Sequence, residues 1–295
     1  MKQTQFATTK TVVTIGNFDG LHKGHLQLIN KAKEIATKKH LKSLVCNFDC
    51  NTKGAAMISS KNQLIENLNK LKLDYMVTLN FLDEIIQLDC ESFAKKYLKN
   101  RFQASVVVVG ENFRFGKKQS GDIHTLKELG EKYGFTVISV KMVFAGRYPL
   151  SSTRIRRWIK DGKIELANRY LFEPFSAIEE VSNGYHVGNT QLSYPTANLP
   201  IPENLIVPPF GVYQTYTVVD NKTYQSITNI GYAPTLKKQT PVIETHLLDF
   251  TGDLYGKRIK VIFKKYIRKE RKFKDLDSLK AQIIKDIAKC NFQDK

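Results

Sequence analysis

Cysteine is scarce, and Cys46, Cys50, Cys90 and Cys290 are the only four in 295 residues. They include no C-x-x-C pair and no histidine at zinc-like spacing, so a disulfide-stapled scaffold and a structural zinc module are excluded and the four are read as reduced thiols. Long apolar runs are missing as well. No segment approaches the roughly 20 residues a membrane span needs, and the beginning of the sequence carries no signal-peptide h-region, so a cytoplasmic protein without a membrane partner is expected. Acidic residues are outnumbered, 28 Asp and Glu against 46 Lys and Arg, a formal net charge of +18. Such an excess favours polyanions of any kind. The lysines are dispersed, as at Lys31, Lys33, Lys38 and Lys39, with one dense group from Lys264 to Lys272. Neither an aromatic-interleaved RNA motif nor a recognition helix accompanies them, so small phosphorylated ligands are expected rather than nucleic acid.

What is present organises into two halves. Apolar runs at 11–15, 43–48, 75–79, 105–109 and 136–141 alternate with helix-period segments near 24–38, 61–72, 81–99 and 122–133. That series predicts a parallel sheet with helices on both faces and ligands beyond the carboxyl ends of its strands. Helices near 151–161 and 163–170 would close this half, with Trp158 packed among them. After Phe172-Glu173-Pro174 the period changes to short alternating runs punctuated by Gly and Pro, as in Val212–Val218 and Ile243–Leu248, which predicts a small antiparallel barrel. A helix over about 275–289 follows. The expected division is 1–174 and 175–295.

The chemistry is concentrated just after the first strand, in Gly16-Asn17-Phe18-Asp19-Gly20-Leu21-His22-Lys23-Gly24-His25. Glycines let backbone N–H groups approach an anion, and the start of a helix adds partial positive charge. Three residues apart on the first helical turn, His22 and His25 would share a side and could both donate to phosphate oxygens as a phosphorus centre is attacked. This is nucleotidyl-transfer chemistry, without the G-K-[ST] of a P-loop or the spacing of a dinucleotide turn. Asp19 is read either as a turn cap or as a group that orients a partner. Further on, Ser151-Ser152-Thr153-Arg154-Ile155-Arg156 reads as a helix start with hydroxyls for backbone and phosphates, followed by arginines able to hold triphosphate oxygens.

These segments resemble the bacterial bifunctional riboflavin kinase and FAD synthetase family. The opening stretch matches every defined position of its G-x-F-D-G-x-H-x-G-H signature. Gly110–Gly116 with Gly121-Asp122 resembles the second motif, after the strand run Val106–Val109, and Ser151–Arg156 resembles the third. The kinase module is matched in order by Pro195-Thr196-Ala197-Asn198, Gly211-Val212-Tyr213, Asn229-Ile230-Gly231, Pro234-Thr235, Glu244 and Asp253-Leu254-Tyr255-Gly256. The resemblance implies a nucleotidyltransferase-type Rossmann-like parallel-sheet domain followed by a small antiparallel β-barrel and a C-terminal helix. It implies that a phosphate oxygen of FMN attacks the α-phosphorus of ATP to give FAD and pyrophosphate, with ATP and FMN or riboflavin as substrates and Mg²⁺ bridging phosphates.

By the same resemblance, Gly16, Asn17, Phe18, Asp19, Gly20, His22, His25, Ser152, Thr153 and Arg156 would hold ATP, with His22, His25 and Arg156 neutralising developing charge. Asn112, Phe113, Phe115 and Asp122 would bind flavin. Thr196 and Asn198 would hold Mg²⁺, and Glu244 would accept the ribityl hydroxyl proton. Two stretches depart from the family. Asn189-Thr190-Gln191-Leu192-Ser193-Tyr194 lacks the usual Gly-Arg pair and further Gly, which removes backbone freedom and a phosphate donor, so riboflavin kinase is implied as the second activity, and whether it is retained, weakened or lost stays open. Cys50-Asn51-Thr52 replaces the usual Pro-His-Pro. The competing readings are another H-x-G-H nucleotidyltransferase, or a flavin-sensing or RNA-binding regulator on a degenerate kinase module. Self-association stays open.

Overall fold

The computed structural model describes residues 9–49, 56–80, 83–182, 196–232, 241–290 and 292. Cys50-Asn51-Thr52, the 189–194 stretch, Pro195 and Pro234-Thr235 lie outside the described residues. The first half runs β1 (Thr11–Gly16), α1 (Lys23–Lys38), β2 (Lys42–Asp49), α2 (Lys61–Lys70), β3 (Tyr75–Asn80), α3 (Asp83–Ile86), α4 (Cys90–Phe93), β4 (Ala104–Gly110), α5 (Ile123–Tyr133) and β5 (Thr136–Val140). The strands form a wholly parallel sheet in the order β3-β2-β1-β4-β5.

Both faces of this sheet are covered. Val13, Ile15, Val107 and Val109 enter one apolar layer with Phe93, Leu98 and Leu126. Val12, Val106 and Val108 enter the other with Ala32, Ile35 and Ala36 of α1. A strand buried on both sides has no polar face to show, which is why Val106–Val109 runs without alternation. The helix expected over 81–99 is broken. Asp89 takes an extended conformation and its carboxylate accepts the Ser92 N–H at 2.6 Å, starting α4 afresh after α3. A wider π-helical turn then continues from Ala94 to Arg101.

Packing gathers the chain into two compact units, Met1–Ala55 with Lys61–Ser152, and Ala56–Ser60 with Thr153–Lys295. After a short hairpin, β6 (Phe144–Ala145) and β7 (Tyr148–Pro149), come α6 (Ser152–Lys160) and α7 (Ile164–Asn168). These helices, expected to close the first half, belong to the second unit from Thr153 onward. The Asn168 side chain is one cause: its amide donates to the Phe263 carbonyl at 2.8 Å and its oxygen accepts the Phe175 N–H at 2.9 Å. Trp158 packs against Tyr170, with ring centroids 5.4 Å apart. Segment 56–60 joins this unit through a parallel bridge between Met57 and Leu205, which periodicity does not announce.

The second unit holds β8 (Ser176–Glu180), β9 (Thr196–Pro200), β10 (Gly211–Val219), β11 (Lys222–Tyr232), β12 (Pro241–Leu247), β13 (Arg258–Arg268) and α8 (Leu276–Ala288). Its strands pair antiparallel in the order β8-β13-β10-β11-β12-β9. The two edges meet where the Ser182 N–H donates to the Asn198 carbonyl at 2.9 Å, so the sheet is a nearly closed barrel. Phe175, Tyr213 and Phe263 fill part of the interior with edge and tilted ring contacts. The remainder is polar: Thr215, Thr217, Ser226, Thr228 and Thr245 are fully buried and bond to one another at 2.7–3.3 Å. A buried hydroxyl left unpaired costs about 1–3 kcal/mol, so a mutually satisfied group holds strand register as well as filling space.

Helix α8 is capped by Asp275, whose carboxylate accepts the Ser278 N–H at 2.7 Å. It is fastened to the barrel by Asp286, only 1% exposed, which takes the Arg268 guanidinium on both oxygens at 2.8–3.1 Å. Gln282 donates to the same carboxylate at 2.7 Å, and Arg271 donates to Gln282 in turn.

Candidate active site

A cleft of about 540 Å³ opens beyond the carboxyl ends of β1 and β4. The strand order reverses between these two, and an open α/β sheet receives its ligands at that point. The turn after β1 is built by side-chain amides. Asn47 accepts the Phe18 N–H at 3.1 Å and Asn17 accepts the Asp19 N–H at 3.2 Å. The chain then passes through left-handed conformations at Gly20 (φ +74°) and Leu21 (φ +38°) before α1 begins. Gly16, Asn17 and Phe18 line the cleft. Asp19 and Gly20 do not: Asp19 is fully buried and its carbonyl accepts the Ser152 hydroxyl at 3.1 Å, so these two shape the turn.

His22 and His25 both line the cleft, with rings stacked at 3.6 Å between centroids and 20° between planes. His22 is also the N-cap of α1, its Nδ1 accepting the His25 N–H at 3.4 Å. An imidazole that accepts at Nδ1 keeps its proton on Nε2 and can donate there. Burial pushes the His22 pKa down to about 4. His25 lies well below the ordinary imidazole value, first because it is buried and second because His22 is beside it. Burial thus favours the uncharged form of both rings, and a neutral imidazole offers an anion an N–H dipole and not a charge. Gly24 makes the stack possible: a Cβ there would meet His22 Cε1 at 3.1 Å and Nδ1 at 3.2 Å.

The opposite wall comes from the loop after β4. Asn112, Phe113 and Phe115 line it, and the two phenyl rings lie nearly parallel, 15° apart at 5.7 Å. Phe115 is locked to Gly121 by reciprocal backbone bonds of 3.0 and 3.1 Å. Cys90 fills the space beneath, and a Cβ on Gly121 would come within 2.5 Å of its sulfur. Asp122 is not among the residues lining the cleft. Its carboxylate caps α5, accepting the His124 and Thr125 N–H groups at 2.9 and 3.1 Å, and pairs with Arg114 at 3.3 Å. Those contacts, with the Thr125 N–H foremost, hold its carboxyl below the usual range.

Lys118 and Lys141 also line the cleft and supply cations that the motifs did not single out. Ser151 and Ser152 line it at the start of α6. Thr153 and Arg156 lie further along that helix, in the second unit, and are not among the lining residues.

On the barrel, register brings the other candidates together. Asn198 lies directly opposite Glu244, and Thr196 opposite His246. Residues two apart on a strand share a face, so the four form one patch, while Ala197, Leu199, Ile243 and Thr245 point into the core. Thr196 Oγ1 and His246 Nδ1 are 2.9 Å apart. Burial lowers the His246 pKa, opposed by the Glu244 charge. His246 was not among the expected site residues. The available signal was its spacing of two from Glu244 on an alternating strand.

A doubly covered parallel sheet with stacked imidazoles at its switch point, followed by a small barrel with oxygen-bearing side chains clustered on one face, defines a two-domain α/β nucleotide-handling transferase. The FAD synthetase family matches residues 4–154 and the riboflavin kinase family residues 171–292. The bifunctional riboflavin kinase/FMN adenylyltransferase of Escherichia coli K12 is 33% identical over 283 residues, covering 93% of this chain and 90% of its own. That of Bacillus subtilis 168 is 32% identical over 289 residues, covering 94% and 90%. A crystal structure described as a macrolide-efflux protein from Streptococcus pneumoniae superposes with a TM-score of 0.86 at 28% identity, covering 95% of this chain and 94% of that one. Among the described residues here, no helix is long and apolar enough to cross a membrane.

The chain belongs to the bifunctional riboflavin kinase/FMN adenylyltransferase family. It is an enzyme, a transferase with an FAD synthetase domain followed by a riboflavin kinase domain. A second catalytic domain over 171–292 disfavours both a bare regulator and an unrelated H-x-G-H nucleotidyltransferase.

Proposed function

We propose that the α/β cleft transfers the adenylyl group of ATP to FMN: a phosphate oxygen of FMN bonds to the α-phosphorus, the α–β phosphoanhydride bond breaks, and pyrophosphate leaves. The observation that carries this reading is the buried, stacked His22–His25 pair lining the cleft at the switch-point turn. With its Nδ1 engaged, His22 offers Nε2–H to phosphate oxygens whose charge grows in the transition state. Lys118 and Lys141 add cationic attraction, and the Gly16–Phe18 turn orients the phosphates. Phe113 and Phe115 provide apolar surface for the isoalloxazine, beside the Asn112 amide. Residues 1–174 are assigned to this activity and 175–295 to the second, in the cytoplasm.

The second activity is phosphorylation of riboflavin on the barrel patch. Thr196 and Asn198 present a hydroxyl and an amide oxygen on one face of β9, donors suited to a hard cation, and the Glu244 carboxylate lies across the strand pairing from Asn198. Mg²⁺ held there would neutralise ATP phosphate charge. Glu244 accepts the ribityl hydroxyl proton as the alcohol oxygen bonds to the γ-phosphorus, the β–γ phosphoanhydride bond breaks, and ADP leaves.

Incubating the protein with Mg-ATP and either FMN or riboflavin, then separating the flavins, tests both halves. The His22→Ala, His25→Ala double variant is expected to abolish FAD formation while leaving the fold intact, and undiminished synthesis would remove the adenylyltransferase assignment. Riboflavin phosphorylation is expected to be slow and to rise when Asn189, Thr190 and Ser193 are replaced by Gly, Arg and Gly. Restoring a charge-assisted phosphate contact is worth about 1.5–3 kcal/mol, or roughly ten- to a hundredfold. Fast native turnover that the replacements leave unchanged would show that the altered stretch is no handicap.

A further inference from the structure

The barrel patch contains one polar group that the proposed kinase chemistry does not use. His246 is buried, yet its Nδ1 lies 2.9 Å from the Thr196 hydroxyl, across the β9–β12 pairing. Thr196 is one of the two residues proposed to hold the ATP-bound cation, and a hydroxyl is an ambiguous ligand. It has two lone pairs and a proton, and the proton can point anywhere the rotor allows. A Thr proton aimed at the cation would oppose binding. The same hydroxyl with its proton held elsewhere presents its lone pairs.

We propose that His246 is a positioning residue for the kinase half: its Nδ1 accepts the Thr196 O–H, fixing that proton on the strand side so that the oxygen lone pairs face the cation-bearing phosphates. This rests on the assignment of Thr196, Asn198 and Glu244 to riboflavin phosphorylation. The bond has two possible directions, and only one leaves both Thr196 lone pairs for a cation. If Nδ1 carried the proton, it would occupy a Thr196 lone pair and drive the hydroxyl proton outward. With the proton on Nε2, the imidazole is an acceptor at Nδ1 and the outward side of Thr196 is electron-rich. Groups that ligate metals are commonly oriented by such a partner behind them, and losing the partner typically costs ten- to a hundredfold in metal affinity.

The strand that carries His246 is held to this role from inside the barrel. Thr245, between Glu244 and His246, points inward and bonds with Thr228 at 2.8 Å and Thr217 at 3.3 Å. A slip of one residue would turn Thr245 outward and drive Glu244 and His246 into the closed hydroxyl cluster. Register therefore places His246 opposite Thr196 and Glu244 opposite Asn198 together or not at all.

Two measurements on the full chain test this. In ¹⁵N-histidine-labelled protein without nucleotide, His246 Nδ1 is expected to show the shift of an unprotonated acceptor nitrogen, moving when Thr196 is changed to Val. A protonated Nδ1, or one indifferent to Thr196→Val, overturns the proposal. Calorimetric titration with Mg-ADP and with ADP in EDTA supplies the second readout. His246→Leu is expected to weaken Mg-ADP binding ten- to a hundredfold, with ADP alone and FMN adenylylation unchanged. His246→Asn, whose Oδ1 can stand at the Nδ1 position and accept, is expected to recover most of the loss, which a merely space-filling role would not produce. Unchanged Mg-ADP affinity in His246→Leu, or equal losses in Leu and Asn, overturns the inference. If Thr196→Val and Glu244→Gln also leave Mg-ADP binding and riboflavin phosphorylation untouched, the kinase assignment of the patch falls with it. Losses confined to those two variants sink the His246 role alone.

Discussion

Gly24→Ala separates the stability of α1 from the placement of His22. A methyl at this position would meet His22 Cε1 and Nδ1 at 3.1 and 3.2 Å, against the 3.5–4.0 Å at which carbon atoms rest comfortably. The methyl is rigid, so the ring must retreat by several tenths of an ångström, taking with it the Nδ1 cap to His25 and the 3.6 Å stack. For folding the terms oppose one another. Alanine favours a helix over glycine by about 1 kcal/mol, and a lost N-cap costs about 0.5–2 kcal/mol. The net change in stability is expected to stay within about 1 kcal/mol. For catalysis they do not cancel, since a donor misplaced on this scale costs up to ~100-fold, or about 2.7 kcal/mol of barrier. Urea unfolding and kcat/KM for FAD formation from FMN, measured on the same preparation, decide the matter. Wild-type kcat/KM would refute the idea that the position of the His22 ring governs the cleft. A stability loss above ~3 kcal/mol would show that the disturbance is not local.

The histidines also make stability depend on pH. His22 falls to about 4 in the folded chain from about 6.5 when unfolded, so between those values the unfolded state binds the extra proton and stability declines as the pH drops through that window. At about 1.36 kcal/mol per pKa unit the loss amounts to as much as about 3 kcal/mol, with His25 acting in the same direction. Urea midpoints at pH 7 and pH 5 should show it, with a smaller difference in His22→Asn, and an equal difference in that variant would assign the effect elsewhere. In the second unit, Asp286→Ala leaves Arg268, whose side chain is only 17% exposed, without its carboxylate and is expected to cost about 3–5 kcal/mol. Replacing both with apolar residues, Arg268→Met with Asp286→Leu, should recover most of that. A loss below ~1 kcal/mol for the single change, by chemical denaturation, would mean that the pair does not hold α8.

Much of this protein could be read without coordinates because its signals are local. A two-sided apolar run such as Val106–Val109 can only be a covered strand. Alternation over Val212–Val218 marks a barrel strand, but the fold covers Val212 and Gln214 on its second face as well, which alternation does not announce. The ten residues from Gly16 to His25 carry turn, helix start and imidazole pair within reach of one another, so their chemistry is legible from spacing. Other features depend on partners that periodicity does not name. The capping carboxylate of Asp89 divides an otherwise helical stretch, and Asn168 draws α7 to Phe263 in the barrel.

The sequence by itself determined the class of each half, the order of most strands and helices along the chain, and the glycine-rich, histidine-bearing turn after β1. These follow from which side chains must leave water and which backbone positions need glycine. Only the tertiary structure decided that the two imidazoles are buried and stacked, that Asp122 caps α5 instead of lining the cleft, and that segment 56–60 joins the second unit. It alone placed His246 behind Thr196. Burial, ring stacking and cross-strand register are properties of residues brought together from distant parts of the chain, fifty positions apart for Thr196 and His246. A local pattern states that a face is buried, and the fold supplies the group that meets it.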